Sequence, residues 1–352
     1  MPHDRNRLTS RAILEEIIQL LRRHPAPKTA SEIHHDNQKI SAVQLPKIRA
    51  FVEANQPIEF VLPAFPSKSP NPAKVLGRLP DMAEKLSLSF LNALCQRIQH
   101  HHPPGAKLTI CSDGRVFGDL IRVDDHHVSA YLKALQRLIA DCRADHLELV
   151  NLEQISPHAA HTANFNAMRE QLVDEYAHPI ETIKQTLLGD PAGTQLYRAI
   201  TRFLFEDGLT PYYRGSRTAL QKDSKTRALA VIQRSWAWGA LLARRFPDAI
   251  RLSIHPQPAT GPKIGIHLMP THDNWLTPWH GVAVERNGQF TLMKRRDAAR
   301  LGGRIVMQDQ QASHYRIDPA HLANRYPPVP QNSIRQAALT GAELVPIRPE
   351  VQ

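Results

Sequence analysis

Cysteine and long apolar runs are scarce in this chain, and each shortage excludes a class of protein. The 352 residues include only three cysteines, Cys95, Cys111 and Cys142, with no Cys-x-x-Cys pair. We therefore expect neither a disulfide framework nor a cysteine-bound zinc, and we expect a reducing cytoplasm as the compartment. No apolar run has the length that a bilayer requires, and Glu15 and Glu16 interrupt the apolar N-terminal pattern, so neither a membrane span nor a signal peptide is predicted.

Motifs of the common cofactors are also missing. The sequence has no Gly-x-Gly-x-x-Gly turn and no P-loop, so a nucleotide cofactor has no support. The 19 histidines include no His-Glu-x-x-His motif, and the histidine groups at 34–35, 100–102 and 126–127 lie in polar stretches that are typical of exposed segments. These missing motifs therefore support neither a metal site nor a nucleotide cofactor.

The chain has a clear excess of positive charge. Lys and Arg number 44 against 33 Asp and Glu, which gives a formal charge of +11 and favours an anionic partner. The basic residues are spread along the chain and aromatic residues make up only 6%, whereas nucleic-acid surfaces cluster cations among stacking aromatics. Nucleic acid, a membrane surface and a phosphorylated metabolite all fit a basic balance, and the spread of the basic residues weakens the nucleic-acid interpretation. A non-enzymatic RNA- or anion-binding protein is kept as a rival.

The middle of the chain alternates short apolar strands with amphipathic helices. Strands are predicted near 58–63, 108–112 and 147–151, and helices at about 81–100 and 128–142. Strands separated by helices of this length pair in parallel, because the crossover returns the chain to the same edge of the sheet. The pattern predicts an α/β fold with a Rossmann-like, mostly parallel sheet and flanking helices over residues 58–260.

Different patterns flank this core. Residues 1–57 are predicted to form a small helical segment with a polar connection around 34–37. Residues 261–330 are predicted to form a β-rich C-terminal part that completes the site, in which Asn287-Gly288 indicates a hairpin. Residues 331–352 show little pattern and are predicted to form a tail.

A proline-stiffened loop follows the first predicted strand. Pro66, Pro70 and Pro72 each fix φ and remove a hydrogen-bond donor, so the segment is expected to be rigid and extended. It carries Lys68 and Lys74. Because α/β sheets bind ligands at the ends of their strands, the two lysines are candidates for an anionic substrate; a plain surface connection is the alternative.

Polar residues follow other predicted strands as well. Asp113 and Arg115 lie after the second strand, where Asp113 could act as a general base; an ordinary turn with a salt bridge is the alternative. His255, His267 and His280 lie at or near later strand ends. A histidine in such a position is either a proton carrier or a packed, hydrogen-bonded residue.

The densest basic run is Tyr212 to Arg227. Its candidate anion-binding residues are Arg214, Arg217, Lys222 and Lys225. Ser216 is placed to cap a helix there, and the N-terminus of a helix attracts phosphate through its free N–H groups. Cations on a first helical turn oppose the helix dipole, which favours anion binding over a merely solvated face.

Several longer runs, taken in order, resemble a known family. They are FPSKSPNPAKVLGRLPDMAEKLSLSFL, ICSDGRVFGDLI, TRFLFEDG, RLSIHPQP, KIGIHLMP and WLTPWHGVAVE. Together they resemble the isocyanide (isonitrile) synthases, the PvcA-like group that includes fungal enzymes of spore-wall dityrosine synthesis. The resemblance implies that the α-amine of tyrosine or tryptophan becomes an isonitrile, that the carbon comes from C2 of ribulose 5-phosphate, and that no cofactor takes part.

Residue roles follow by combining the resemblance with residue type and position. Asp113, His255, His267 and Lys74 are the catalytic candidates, with Arg115 orienting Asp113. The candidates for substrate binding are Lys68, Arg115, Arg214, Arg217, Lys222, Lys225, Trp279 and His280. Trp275 and Trp279 would form an aromatic wall beside His280, or else pack in the core. Tyrosine is preferred as substrate, with tryptophan or another sugar-phosphate lyase or transferase as alternatives.

Overall fold

Two helices precede the first strand. In the computed structural model, which describes residues 2–24, 28–156 and 164–318, they are α1 (Pro2–Ile18) and α2 (Ala30–Glu53). The predicted connection at 34–37 is wrong, because these residues lie inside α2. Thr29 and Glu32 form a capping box that starts this helix at Ala30, before the predicted connection. The N–H of Thr29 donates to the Glu32 carboxylate at 2.7 Å.

A five-stranded, fully parallel sheet forms the centre of the fold. Its strands are β1 (Ile58–Ala64), β2 (Ala106–Ser112), β3 (Leu147–Asn151), β4 (Ile250–Ser253) and β5 (Lys263–Gly265), in the spatial order β3-β2-β1-β4-β5. The three predicted strands pair in parallel in one sheet, as expected. β5 was assigned to the C-terminal part by sequence, yet it pairs with β4 and completes this sheet.

Helices cover both faces of the sheet. They are α3 (Met82–His101), α4 (Gly114–Ile121), α5 (Asp125–Asp141), α6 (Leu152–Ile155), α7 (Phe165–Tyr176), α8 (Ile180–Gly189), α9 (Pro191–Gly208) and α10 (Arg217–Arg245). Phe60 and Leu62 pack with α1, α2 and α3, whereas Val61 packs with α7 to α10. Successive side chains of a strand point to opposite faces, so β1 is buried from both sides. No helix in the described ranges is long and apolar enough to span a membrane.

A second, mixed sheet follows. It contains β6 (Val282–Arg286), β7 (Gln289–Met293), β8 (Arg304–Gln308) and β9 (Gln311–Arg316), in the order β7-β6-β9-β8, with α11 (Arg295–Arg300) between β7 and β8. β6 and β7 form the predicted hairpin, and both of its turn residues, Asn287 and Gly288, have positive φ. The predicted tail, 331–352, lies outside the described residues.

The strand order locates the ligand-binding edge of the first sheet. From β1 the chain passes to β2 and β3 on one side, and later returns to β4 and β5 on the other. The connections leaving β1 and β4 therefore diverge, and open α/β sheets bind ligands in the crevice at this switch point, outside the carboxyl ends of the strands.

Candidate active site

The proline-containing loop after β1 is buried over residues 65–69 and at Asn71, and reaches the surface only at 72–73. Ser67, Lys68, Ser69 and Asn71 are each at most 4% exposed. The N–H of Ser69 donates to the carbonyl of Trp279 at 2.9 Å. The loop is therefore fixed against the segment that precedes the second sheet, directly at the switch point.

Lys68 holds this loop in place through two buried ion pairs and a hydrogen bond. Its Nζ lies 2.8 Å from Asp81 Oδ2 and 2.7 Å from Glu84 Oε2, and it donates to the carbonyl of Pro278 at 3.2 Å. Burial alone would lower the pKa of Lys68, but the two carboxylates outweigh burial and raise it. The side chain is 0% exposed, so this geometry does not support contact between Lys68 and a substrate.

Asp207, at the end of α9, binds two polar side chains of the loop. Its Oδ1 accepts from Ser69 Oγ at 2.6 Å and pairs with Lys74 Nζ at 2.5 Å. On the other side, His280 Nε2 lies 3.4 Å from Asp207 Oδ2. We call these four residues the Asp207 cluster. Burial would raise the pKa of Asp207, but Lys74 and His280 lower it to about 2, so the carboxylate stays ionised.

His280 is the neutral member of the Asp207 cluster. Burial lowers its pKa, and this effect exceeds the opposing attraction of Asp207. Its Nδ1 lies 2.8 Å from Thr277 Oγ1, and Phe203 packs against its ring at 4.5 Å between centroids. A neutral, oriented imidazole beside a carboxylate is suited to proton transfer.

A cleft of about 570 Å³ opens beside the Asp207 cluster. It is lined by Ser69, Pro70, Pro72, Val75, Leu76, Gly77, Arg78, Arg122, Asp207, Gly208, Thr210, Tyr212 and Tyr213. Its volume falls in the range that holds small-molecule ligands. Arg78 adds positive charge to the lining, whereas the charge of Arg122 is paired with Asp223 at 2.9 Å, so Arg78 is the candidate partner for an anionic small molecule.

Asp113 directly follows β2, at the carboxyl edge of the sheet. It is 7% exposed, its Oδ1 has no hydrogen-bond partner in the described part of the chain, and burial raises its pKa to about 7. The next residue must be glycine, because a Cβ on Gly114 would lie 2.0 Å from the carbonyl oxygen of Pro66. β2 and the loop are thus in direct contact, and Asp113 has the pKa of a general acid or base near neutral pH.

Arg115 belongs to a different network. Its Nε pairs with Glu153, its Nη1 donates to Asp125 Oδ1 at 3.0 Å, and its Nη2 donates to Ser129 Oγ at 2.5 Å. Its guanidinium also lies 3.9 Å from the centre of the Phe165 ring. All three nitrogens are occupied, so this geometry does not support the expected pairing of Arg115 with Asp113 or its contact with a substrate.

His255 and His267 follow β4 and β5, at the same edge of the sheet. Burial, followed by the charge of Arg23, lowers the pKa of each to about 3, so both are neutral. Trp275 lies 6.3 Å from His255 between ring centroids. The structure therefore brings both histidines together with Arg23, an N-terminal arginine that no sequence pattern indicated.

The basic run after Tyr212 is mostly solvent-exposed. Arg214, Arg217, Lys222 and Lys225 are all exposed, and Arg217 lies 5.3 Å from the ring centre of Phe205. Ser216 caps α10 as predicted, accepting from the N–H of Ala219 at 3.1 Å. Of this run only Tyr212 and Tyr213 line the cleft.

Trp279 packs in the core. It is 1% exposed, and its ring centroid lies 5.3 Å from that of Phe65. Trp279 contacts the loop through its backbone carbonyl, whereas the side chain of its neighbour His280 reaches the site through Asp207.

The residues missed by sequence carried weak local signals. Asp207 ends an ordinary amphipathic helix, and Arg78 and Arg122 are isolated cations. Asp124, His126 and His127 place ligand atoms within 4.8 Å of one another, but an exposed group of this kind does not by itself indicate a metal site.

The fold and site define an α/β protein with a cleft, lined by Arg78 and Asp207, at the switch point of a parallel sheet. The family model for "Pyoverdine/dityrosine biosynthesis protein" matches residues 48–306, which is more than half of the chain. The chain belongs to this family, as the resemblance predicted.

Individual proteins are also similar to this chain over most of its length. The L-tyrosine isonitrile synthase of Pseudomonas aeruginosa is 58% identical over 89% of this chain and 95% of its own length, and that of Xenorhabdus nematophila is 54% identical over 90% and 94%. The crystal structure of the PvcA protein from Pseudomonas aeruginosa has a TM-score of 0.84, with 58% identity over 88% of this chain and 99% of that one.

Proposed function

We propose that this protein is an L-tyrosine isonitrile synthase, a lyase of secondary metabolism that acts in the cytoplasm without a cofactor. The amino nitrogen of tyrosine becomes the isonitrile nitrogen, and C2 of ribulose 5-phosphate supplies the isonitrile carbon. The observation that carries this proposal is the 58% and 54% identity, over nearly the whole length, to two proteins of that name. Fold alone would not support it, since one fold serves many reactions.

The first chemical step explains which groups the site must provide. The free amine attacks the C2 ketone to give a carbinolamine, which loses water to form an imine. This requires a base to take the ammonium proton and an acid to protonate the leaving hydroxyl. The neutral His280 suits the first task, and Asp113, with its pKa raised to about 7 by burial, suits the second.

The remaining catalytic candidates have supporting roles in this proposal. Lys74 lies next to the cleft through its ion pair with Asp207 at 2.5 Å, and its ammonium would stabilise negative charge on the sugar. His255 and His267 are neutral and lie at the ends of adjacent strands, where they would bind or relay a proton. Lys68 holds the loop in place.

The proposed function has a direct test. Purified protein incubated with ribulose 5-phosphate and equimolar tyrosine, tryptophan and phenylalanine should give an isonitrile product chiefly from tyrosine, detected by mass. Ribulose 5-phosphate labelled with ¹³C at C2 should place the label in the isonitrile carbon. A product chiefly from tryptophan would replace the substrate but keep the reaction class. No isonitrile from any of the three would refute the function.

The phosphate of the sugar is proposed to bind in the cleft. Arg78→Gln should raise the KM for ribulose 5-phosphate by roughly 10- to 100-fold and leave the KM for tyrosine nearly unchanged, because a lost charge-assisted hydrogen bond costs about 1.5–3 kcal/mol. Steady-state kinetics with each substrate varied in turn measures both constants.

The matched comparison is Arg217→Gln, which removes the same charge from the exposed start of α10. If the basic run binds phosphate, as the sequence predicts, Arg217→Gln will have the larger effect. If the basic run only attracts the sugar by long-range electrostatics, the effect of Arg217→Gln will be small and will disappear at high salt. Unchanged constants in both variants would place the phosphate elsewhere.

A further inference from the structure

Arg23 is a buried arginine whose charge is poorly satisfied. It is 2% exposed, and only its Nη2 has a partner, donating to the carbonyl of Leu276 at 3.0 Å. Its Nε and Nη1 are buried without a hydrogen-bond partner in the described part of the chain. A guanidinium group does not lose its proton at neutral pH, and an uncompensated buried charge is costly, so these two nitrogens point to a missing anion.

Two histidines beside Arg23 also have unused nitrogens. The Nδ1 atoms of His255 and His267 are buried without a partner among the described residues, and the charge of Arg23 acts on both rings. We call these three residues the Arg23 group. A neutral imidazole can donate from Nδ1, so the group offers donors from three side chains to one ligand.

The backbone holds the Arg23 group rigidly. The N–H of Arg23 donates to the carbonyl of Gly265 at 2.8 Å, and the N–H of His267 donates to the carbonyl of Leu21 at 2.7 Å. A Cβ on Gly265 would lie 2.7 Å from the carbonyl oxygen of His255 and 2.9 Å from that of Arg23. The N-terminal segment is therefore packed tightly on β5, and the donors are preorganised.

Among the described residues, no acidic side chain forms an ion pair with the Arg23 group. The charge of Asp273 reaches Arg23, but Asp273 pairs with Lys294 at 2.8 Å and accepts the N–H of Trp275 at 3.0 Å. Lys263 adds further positive charge near His255. The charge around the Arg23 group is therefore mostly positive, which favours the binding of an anionic ligand.

We infer that the Arg23 group is a subsite for the α-carboxylate of the amino-acid substrate. The inference rests on the proposed function. Trp275, beside His255, offers an aromatic surface to the substrate's side chain. His280 is close enough to His255 to contribute to the lowering of its pKa, and His280 contacts Asp207 at the cleft. A carboxylate on Arg23 would therefore direct the substrate's amine towards the Asp207 cluster, and Arg78 would remain for the phosphate.

The test combines one substitution with one truncated ligand. Arg23→Gln should raise the KM for tyrosine by roughly 10- to 100-fold, as expected for the loss of a charge-assisted hydrogen bond, and should leave the KM for ribulose 5-phosphate within about threefold. Arg22→Gln is the control: Arg22 also has a buried Nε and Nη1 without a partner in the described part of the chain, but the carboxylate of Asp36 acts on its charge, and neither His255 nor His267 is among the groups it is shown to affect. It should leave both constants unchanged.

Tyramine, which is tyrosine without the carboxylate, gives a second readout. By titration calorimetry, wild-type protein should bind tyrosine at least 10-fold more tightly than tyramine, and Arg23→Gln should remove most of this difference. Equal wild-type affinity for the two ligands would overturn the inference even if Arg23→Gln fails to fold. An effect of Arg23→Gln on the sugar's KM instead of tyrosine's would also overturn it.

Failure of the proposed function is distinguishable from failure of the subsite. If wild-type protein forms no isonitrile, the function fails, but the calorimetric comparison of tyrosine with tyramine still decides whether Arg23 binds a carboxylate. If isonitrile forms and Arg23→Gln folds with an unchanged KM for tyrosine, only the subsite is refuted.

Discussion

Asp207→Asn is expected to lower kcat by roughly 10²- to 10⁴-fold, the range for losing an acid–base group, because Asp207 positions the proposed base His280. The buried carboxylate holds Lys74, Ser69 and His280 in one geometry. An amide keeps the shape but removes the charge, which leaves the Lys74 ammonium unpaired in a mostly buried place. Breaking such a pair also costs about 3 kcal/mol of folding stability.

The pH dependence of stability separates this role from simple packing. The pKa of Asp207 is about 2 in the folded protein, below the ordinary value of 3.8, so its stabilising contribution is present above pH 4 and is lost as pH falls from about 4 to 2. Urea unfolding across this window should show the loss in wild-type protein and not in Asp207→Asn.

The matched control is Glu206→Gln. Glu206 precedes Asp207 and pairs with Arg202 at 2.9 Å on the exposed side of α9. Exposed pairs contribute at most about 1 kcal/mol, so this variant should keep both stability and kcat. Equal effects of Asp207→Asn and Glu206→Gln would show that Asp207 has no special role in the site.

Asp113→Asn is expected to lose activity and gain stability at the same time. If Asp113 is the acid that the first step requires, the variant should lose roughly 10²- to 10⁴-fold in kcat. The ionisation near pH 7 should also disappear from the profile of kcat/KM against pH. Asp145→Asn, at an exposed position after α5, serves as the control and should change neither.

The sign of the stability change follows from the direction of the pKa shift. Burial raises the pKa of Asp113 from 3.8 to about 7, so folding favours its protonated form. Its contribution to stability is fully present below pH 4 and is lost as pH rises to about 7. Above pH 7 the asparagine variant should be more stable than wild type by up to a few kcal/mol, and near pH 4 the two should match. If the variant is less stable than wild type at pH 8, burial does not destabilise the ionised form of Asp113, and the prediction is contradicted.

Some parts of the site were predictable because the signal is local. Asp113 was selected because it follows a strand, and the parallel sheet places that position at the ligand-binding edge. The same reasoning selected His255 and His267. Arg23 was not predictable in this way, since the N-terminal segment reaches β5 only through the fold.

The two lysines of the proline-containing loop show the limit of local reasoning. They lie six residues apart and are equivalent by sequence. Lys68 is buried between Asp81 and Glu84, whereas Lys74 reaches Asp207 beside the cleft. The difference depends on partners from α3 and α9, and no local pattern encodes contacts over such separations.

By itself the sequence determined the alternation of helices and strands, the parallel sheet and the hairpin, because periodicity, caps and turn residues act between near neighbours. Tertiary structure decided which charges meet. It joined Asp207 to a loop about 130 residues away, placed β5 in the first sheet and left Arg23 beside two histidines. Burial makes such charges depend on their neighbours, so the chemistry of the site arises only when the chain is folded.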